Sequence, residues 1–118
     1  MSRDVAIVRI RGKFRPIEEV EQEDYLPLGN LNEVSAAIRA AFPSAEWSNP
    51  TWVVYVGPDF EIEIGLDDVE SGNTIVMHVH GPGNAAPSLL RLTEANGWLA
   101  IDCSCGEFID TADPSSEI

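Results

Sequence analysis

Residues 51–80 constrain the fold more than any other part of the chain. They hold three apolar-alternating runs in succession, TWVVYVG, FEIEIGL and NTIVMHVHG, separated by Gly57-Pro58-Asp59 and by the acidic stretch DDVESGN. Phe60, Ile62, Ile64 and Leu66 fall on one side of the second run, with Glu61 and Glu63 on the other. In the third, Ile75, Met77 and Val79 oppose His78 and His80. Period-two alternation predicts strands with one buried and one wetter face.

The other elements follow from local signals. Residues 4–10, DVAIVRI, are apolar on both sides at their centre, with Val5 and Ile7 opposite Ala6 and Val8. That suits an interior strand. Arg9, Arg11, Lys13 and Arg15 then alternate. A strand continuing through them would line all four on one side, as an anion-binding stripe or, preferably, as a solvated strand end balanced by the acids that follow. Residues 16–29, PIEEVEQEDYLPLG, hold five acids. Pro16 can open a helical turn there, and the remainder reads as an irregular connection of the kind used for recognition.

A first helix is predicted from Leu31 to about Phe42. Asn30 and Glu33 make a capping box, Leu31, Val34, Ile38, Ala41 and Phe42 form one apolar stripe, and Pro43 ends it. Residues 43–50, PSAEWSNP, read as a connection, and Trp47 and Trp52, which flank the turn signal Ser48-Asn49-Pro50, serve packing. After a flexible bend at Gly81-Pro82-Gly83-Asn84, a second helix runs from about Ala85 to Asn96, with Leu89, Leu92 and Asn96 on one face. Asn96-Gly97 stops it, and Trp98 folds back over its last turn. The final strand is WLAIDCSC, in which Leu99, Ile101, Cys103 and Cys105 share a side assigned to the core, followed by a short GEFI continuation. The order is β-α-β-β-β-α-β. It predicts an α+β, two-layer sandwich: a mixed, mostly antiparallel sheet with both helices on one face. Residues 1–110 form a single domain and residues 111–118 a frayed tail.

Charge and composition exclude several classes. No apolar run reaches the roughly 18–20 residues that a membrane-spanning helix needs. The opening MSRDVAIVRIRGK lacks a small-residue cleavage site, so the expected location is the cytoplasm. Cys103 and Cys105 stand too close together for a structural disulfide, in keeping with a reducing compartment. Net charge is −13 and unevenly placed: residues 1–15 carry five basic groups against Asp4, for +4, while the other 103 residues carry Arg39 and Arg91 against 19 acids, for −17. Such a surface repels phosphate backbones, which argues against nucleic acid. It keeps the protein soluble, and it attracts a basic partner at long range.

Two sets of candidate site residues emerge. Pairing Ile62 with Met77 and Ile64 with Ile75 places Glu61 opposite His78, with Glu63 and His80 beside them on the polar face. Two histidines two residues apart on a strand, with a carboxylate across the ladder, can present a His₂Glu set to zinc. The same four residues also suit a plain solvent-facing sheet surface. The cysteines do not complete that set, because the core assignment of their side places them on the opposite face, Cys103 as a buried thiol and Cys105 at the strand end, partly exposed. The second set is acidic and partner-binding: Glu18, Glu19, Glu21, Glu23 and Asp24 in the first connection, with Asp67, Asp68 and Glu70 in the DDVESGN turn. Walker, G-x-G-x-x-G, G-x-S-x-G and H-E-x-x-H motifs are absent, and no catalytic residue is assigned.

The segments AAFPSAEWSNPTWVVYVGPDFEIEIGL, TIVMHVHG and NGWLAIDCSCGEFID together resemble small acidic bacterial proteins of uncharacterised function. In overall character the chain is similar to polymorphic-toxin immunity proteins. The resemblance implies a protein partner and assigns no residue a role. The functional expectation is a non-enzymatic, protein-binding domain that captures a basic partner. The alternative is a metal-binding module, or a metal-dependent enzyme, on the Glu61/Glu63/His78/His80 face.

Overall fold

In the computed structural model, which describes residues 2–12, 15–67, 74–103 and 106–109, the first strand, β1 (Ser2–Ile10), runs through the interior of the sheet. On one side it pairs with β6 (Thr74–His80) and on the other with β7 (Leu99–Asp102). Its two apolar sides thereby have a structural cause. Val5 and Ile7 are fully buried on the side facing the helices, while Ala6 and Val8 point the other way.

The central runs form β4 (Trp52–Gly57), β5 (Phe60–Gly65) and β6, joined as antiparallel neighbours. The strand order is β3-β4-β5-β6-β1-β7-β8, with β3 (Glu46–Asn49) and β8 (Glu107–Phe108) at the edges. A short β2 (Tyr25–Leu26) pairs with the far end of β1. Every pairing among the described residues is antiparallel. The fold is α+β, with the predicted element order extended by three short strands.

β3 occupies the stretch expected to be a connection. Glu46 and Trp47 pair with Val54 and Val53, and the turn is held by Asn49 Oδ1, which accepts the Thr51 N–H at 2.9 Å. A four-residue, largely exposed edge strand carries no alternation to read.

Both helices cover one face. α1 (Leu31–Ala41) begins with the predicted capping box: Asn30 Oδ1 accepts the Glu33 N–H at 2.9 Å, and Glu33 Oε1 accepts the Asn30 N–H at 3.0 Å. α2 (Ala86–Asn96) starts where Asn84 Oδ1 accepts the Ala86 N–H at 3.0 Å. It ends where the Trp98 N–H reaches the Thr93 carbonyl at 2.9 Å, with the Trp98 ring buried. Leu89, Leu90, Leu92 and Thr93 are buried; Asn96 is exposed instead, its Nδ2 donating to the Leu92 carbonyl at 2.8 Å. These helices close over Phe60, Ile62, Ile64, Leu66, Ile75, Met77 and Val79 to make one core. Each such fully buried side chain contributes about 2 kcal/mol relative to exposure.

The bend before α2 is tightly packed. Arg3 Nη2 donates to the Gly81 carbonyl at 2.7 Å, and the Gly83 N–H donates to the Asp59 carbonyl at 2.7 Å. Gly81 has φ +99°, and a Cβ there would stand 2.7 Å from the Asp59 carbonyl oxygen. Only glycine lets these two turns meet.

One face assignment is reversed in β7. Ile7 lies opposite Ala100, which is fully buried, whereas Leu99 pairs with Val8 and Ile101 with Ala6 on the uncovered face. Close approach of α2 to β7 leaves room for alanine beside Ile7 and sends the two larger side chains outward. Cys105 and the tail beyond Ile109 lie outside the described residues.

Candidate functional site

The four residues proposed as metal ligands do share the uncovered face, but in a different register. Glu61 lies opposite His80 and Glu63 opposite His78, because Ile62 pairs with Val79 and Ile64 with Met77. The shift is two residues, which preserves the face and changes every partner. Register is a relation between two strands, and alternation within either strand alone carries no trace of it.

The histidines are drawn to different carboxylates. His78 Nδ1 stands 2.8 Å from Oδ1 of Asp4, its cross-strand neighbour on β1. His80 Nε2 makes an ion-pair contact with Glu63 Oε1, diagonally across the β5–β6 ladder, without the alignment of a hydrogen bond. Both pairs are partly solvated, and such pairs contribute about 0–1 kcal/mol. Among the described residues no group of three His, Cys, Asp or Glu side chains is placed to hold a metal ion. Asp4 is the participant that sequence reasoning missed. Its place on the alternation of β1 was legible, but the pairing of β1 with β6 was not.

Cys103 is exposed, not buried, since the reversed face of β7 carries it to the open side. Its N–H donates to the Asp4 carbonyl at 3.1 Å. Partial burial pushes the thiol pKa up, and the nearby Asp4 carboxylate adds to the rise. Such a thiol is a poor nucleophile at neutral pH.

The acidic connection is ordered by two 3-10 turns, Ile17–Glu19 and Gln22–Asp24. Glu18, Glu19, Glu21 and Glu23 are exposed. Asp24 is committed to structure: its Oδ2 accepts the Glu21 N–H at 3.1 Å and meets Arg15 Nη2 at 2.7 Å. The Glu21 N–H is the main reason its carboxyl sits below the ordinary value of 3.8; desolvation opposes it, and Arg15 adds to the lowering.

The basic stripe expected on a continuing strand does not form. β1 stops at Ile10, Gly12 turns the chain at φ +85°, and Arg15 folds back to Asp24 and to the Arg11 carbonyl at 3.0 Å. Lys13 lies outside the described residues. Pairing of Val8 with Thr74 brings the end of β1 beside the start of β6. The connection holding Glu18–Asp24 and Asp67 therefore lie at the same end of the sheet. Asp67 is exposed; Asp68 and Glu70 lie outside the described residues.

A groove of about 270 Å³ runs along α1 between Asn32, Ser35 and Arg39 and the β3–β4 turn at Pro50. Arg39 lies over the Trp47 ring, 3.9 Å from its centroid. Trp47 therefore sits at the margin of the core as a platform for a cation, a role that its sequence neighbourhood does not announce.

No family model, curated protein or solved structure matches the chain. No helix among the described residues is long and apolar enough to cross a membrane.

Proposed function

We propose that this protein is a non-enzymatic binding domain that captures a basic protein partner, in the manner of an immunity protein holding a cationic toxin. The observation that carries this reading is the placement of charge. Residues 16–118 hold 19 acids against two arginines, and the acidic connection at Glu18–Asp24 shares one end of the sheet with Asp67. Carboxylates concentrated in this way raise the rate of encounter with a cationic protein and mimic a phosphate backbone. They repel nucleic acid itself. The setting would be the cytoplasm, where an exposed thiol such as Cys103 stays reduced.

Capture on the immobilised protein at low salt, followed by elution at high salt, tests this. A single basic protein held stoichiometrically is expected, with affinity that falls as salt rises. Replacing Glu18, Glu19, Glu21 and Glu23 together by glutamine should slow association markedly. Affinity independent of salt would sink the reading. The metal alternative on Glu61, Glu63, His78 and His80 is tested by zinc titration. Stoichiometric uptake at micromolar zinc that His78→Ala abolishes would establish it, and no uptake would remove it.

A further inference from the structure

The uncovered face of the sheet is not uniformly polar. Following the register across the strands, Trp52 lies opposite Gly65, Ala6 opposite both Val76 and Ile101, and Ile101 opposite Phe108. Continuing the Ile64–Met77 pairing by one residue sets Gly65 beside Val76. These side chains make one apolar stripe from β4 to β8, perpendicular to the strands. The Trp52 ring closes on the space that Gly65 leaves open: a Cβ at Gly65 would stand 3.3 Å from its Cζ3. Val76 is 42% exposed, and Trp52, Ala6, Ile101 and Phe108 are half-buried.

A second row runs parallel to it, two residues along each strand. Glu46, Glu63 and Asp4 stand in it, with Val54 and His78 between them, through the pairings of Glu46 with Val54, Val54 with Glu63, Glu63 with His78 and His78 with Asp4. Two residues of strand separate the rows by about 7 Å. Among the described residues no arginine stands on this face. Arg3 and Arg9 share the parity of Val5 and Ile7, Arg39 and Arg91 are on the helices, and Arg11 and Arg15 lie in the connection after β1.

We infer that this face docks a basic amphipathic helix of the partner, its apolar side along the Trp52–Phe108 stripe and its cationic flank over Glu46, Glu63 and Asp4. The inference rests on the reading of the chain as a binder of a basic protein and names the surface that reading leaves open. Five strand spacings give the stripe a length of about 24 Å. A helix of about 16 residues spans that distance. The width of a helix places its flanking side chains over the acidic row. A second copy of this chain is a poor occupant, because it brings the same acidic row and another −13 of charge. The chain's own residues 110–118 carry three acids and no cation, and fit no better.

The test uses a synthetic 16-residue peptide with leucines at i, i+3, i+4 and i+7 spacing and lysines along one flank, beside a scrambled peptide of identical composition. Heteronuclear NMR of the full chain reads the contact. The amphipathic peptide is expected to shift the Trp52 indole and the amides of Ala6, Val76 and Ile101, and to bind at least roughly tenfold tighter than its scramble. Val76→Asp should weaken it roughly tenfold although it adds an attractive charge. Val56→Asp, on the same face but away from the stripe, should not. Equal binding of the two peptides, or tighter binding by Val76→Asp, would overturn the stripe while leaving electrostatic capture by the acidic loops in place. Binding of neither peptide removes both readings. Concentration-dependent dimers that shift these same residues without peptide, or the same shifts on deleting residues 110–118, would hand the face to a second copy or to the chain's own end.

Discussion

The two faces of the sheet share the same strands and differ in what covers them. On the helix side, Val5, Ile7, Ile62, Ile64, Met77 and Val79 are each 0–1% exposed and form a single core with α1 and α2. On the other side, one residue away along each strand, histidines and carboxylates share the face with valines whose exposure runs from 2% at Val8 to 68% at Val56. The first face spends its chemistry on stability, since the side chains at its centre are apolar and packed, and its charged members, Arg3, Arg9 and Asp102, stand toward the strand ends. The second contributes little to stability, and its mixture of one apolar row and one acidic row is what a partner surface needs.

Two valines on β6 separate the two faces most strongly. Val79→Asp buries an unpaired charge on the covered face and should cost more than about 4 kcal/mol, leaving little folded protein by circular dichroism. Val76→Asp, three residues earlier on the open face, should change unfolding free energy by only about 0.5 kcal/mol in a urea titration. Similar losses at the two sites would mean that the open face is covered in solution.

Gly81→Ala addresses the end of the sheet where the faces meet. It forces a side chain into a positive φ and against the Asp59 carbonyl, and should cost about 2 kcal/mol by thermal or chemical unfolding. Asn30→Ala removes one half of the α1 capping box and should cost about 1 kcal/mol, felt only on the covered layer. A loss much below this would show that packing alone holds the start of α1.

The smallest effect concerns Asp24. Its folded pKa lies below 3.8, so its contribution is present above that value and is lost as the pH falls through the lower, folded value. Asp24→Asn should therefore be less stable than the parent near neutral pH, with the two converging at the acid end of a pH–stability series. A gap that persists unchanged into strong acid would place the effect elsewhere than in ionisation. Because Asp24 is held by Glu21 and Arg15, the same substitution should disturb the acidic connection more than it disturbs partner charge.

Much of the covered layer was readable in advance. The alternation of Phe60 to Leu66 and of Ile75 to Val79, the stripe of α1 and the capping box at Asn30 all rest on periods and spacings internal to a short segment. The open face was readable only in part. Its acids and histidines could be assigned to it, but their partners could not. The two-residue difference in β5–β6 register moved His80 opposite Glu61 and His78 opposite Glu63. The side reversal in β7 brought Leu99, Ile101 and Cys103 onto the face from which their apolar character had seemed to exclude them. Leucine and isoleucine on an edge-side strand do not reveal which of two faces a helix approaches.

From sequence alone came the two helices, the identity of the central strands, most of the apolar set beneath the helices and the strongly acidic balance. Each depends on local periodicity, local capping or a simple sum of charges. Tertiary structure alone decided that β1 is flanked by β6 and β7, that Asp4 meets His78, that Arg15 folds back to Asp24, and that Trp52, Val76, Ile101 and Phe108 fall into one row. Apart from Arg15 and Asp24, which are nine positions apart, those relations join residues separated by tens of positions. Their physical origin is the register of long-range pairing and the side from which the helices pack, and neither leaves a signature in any single stretch of chain.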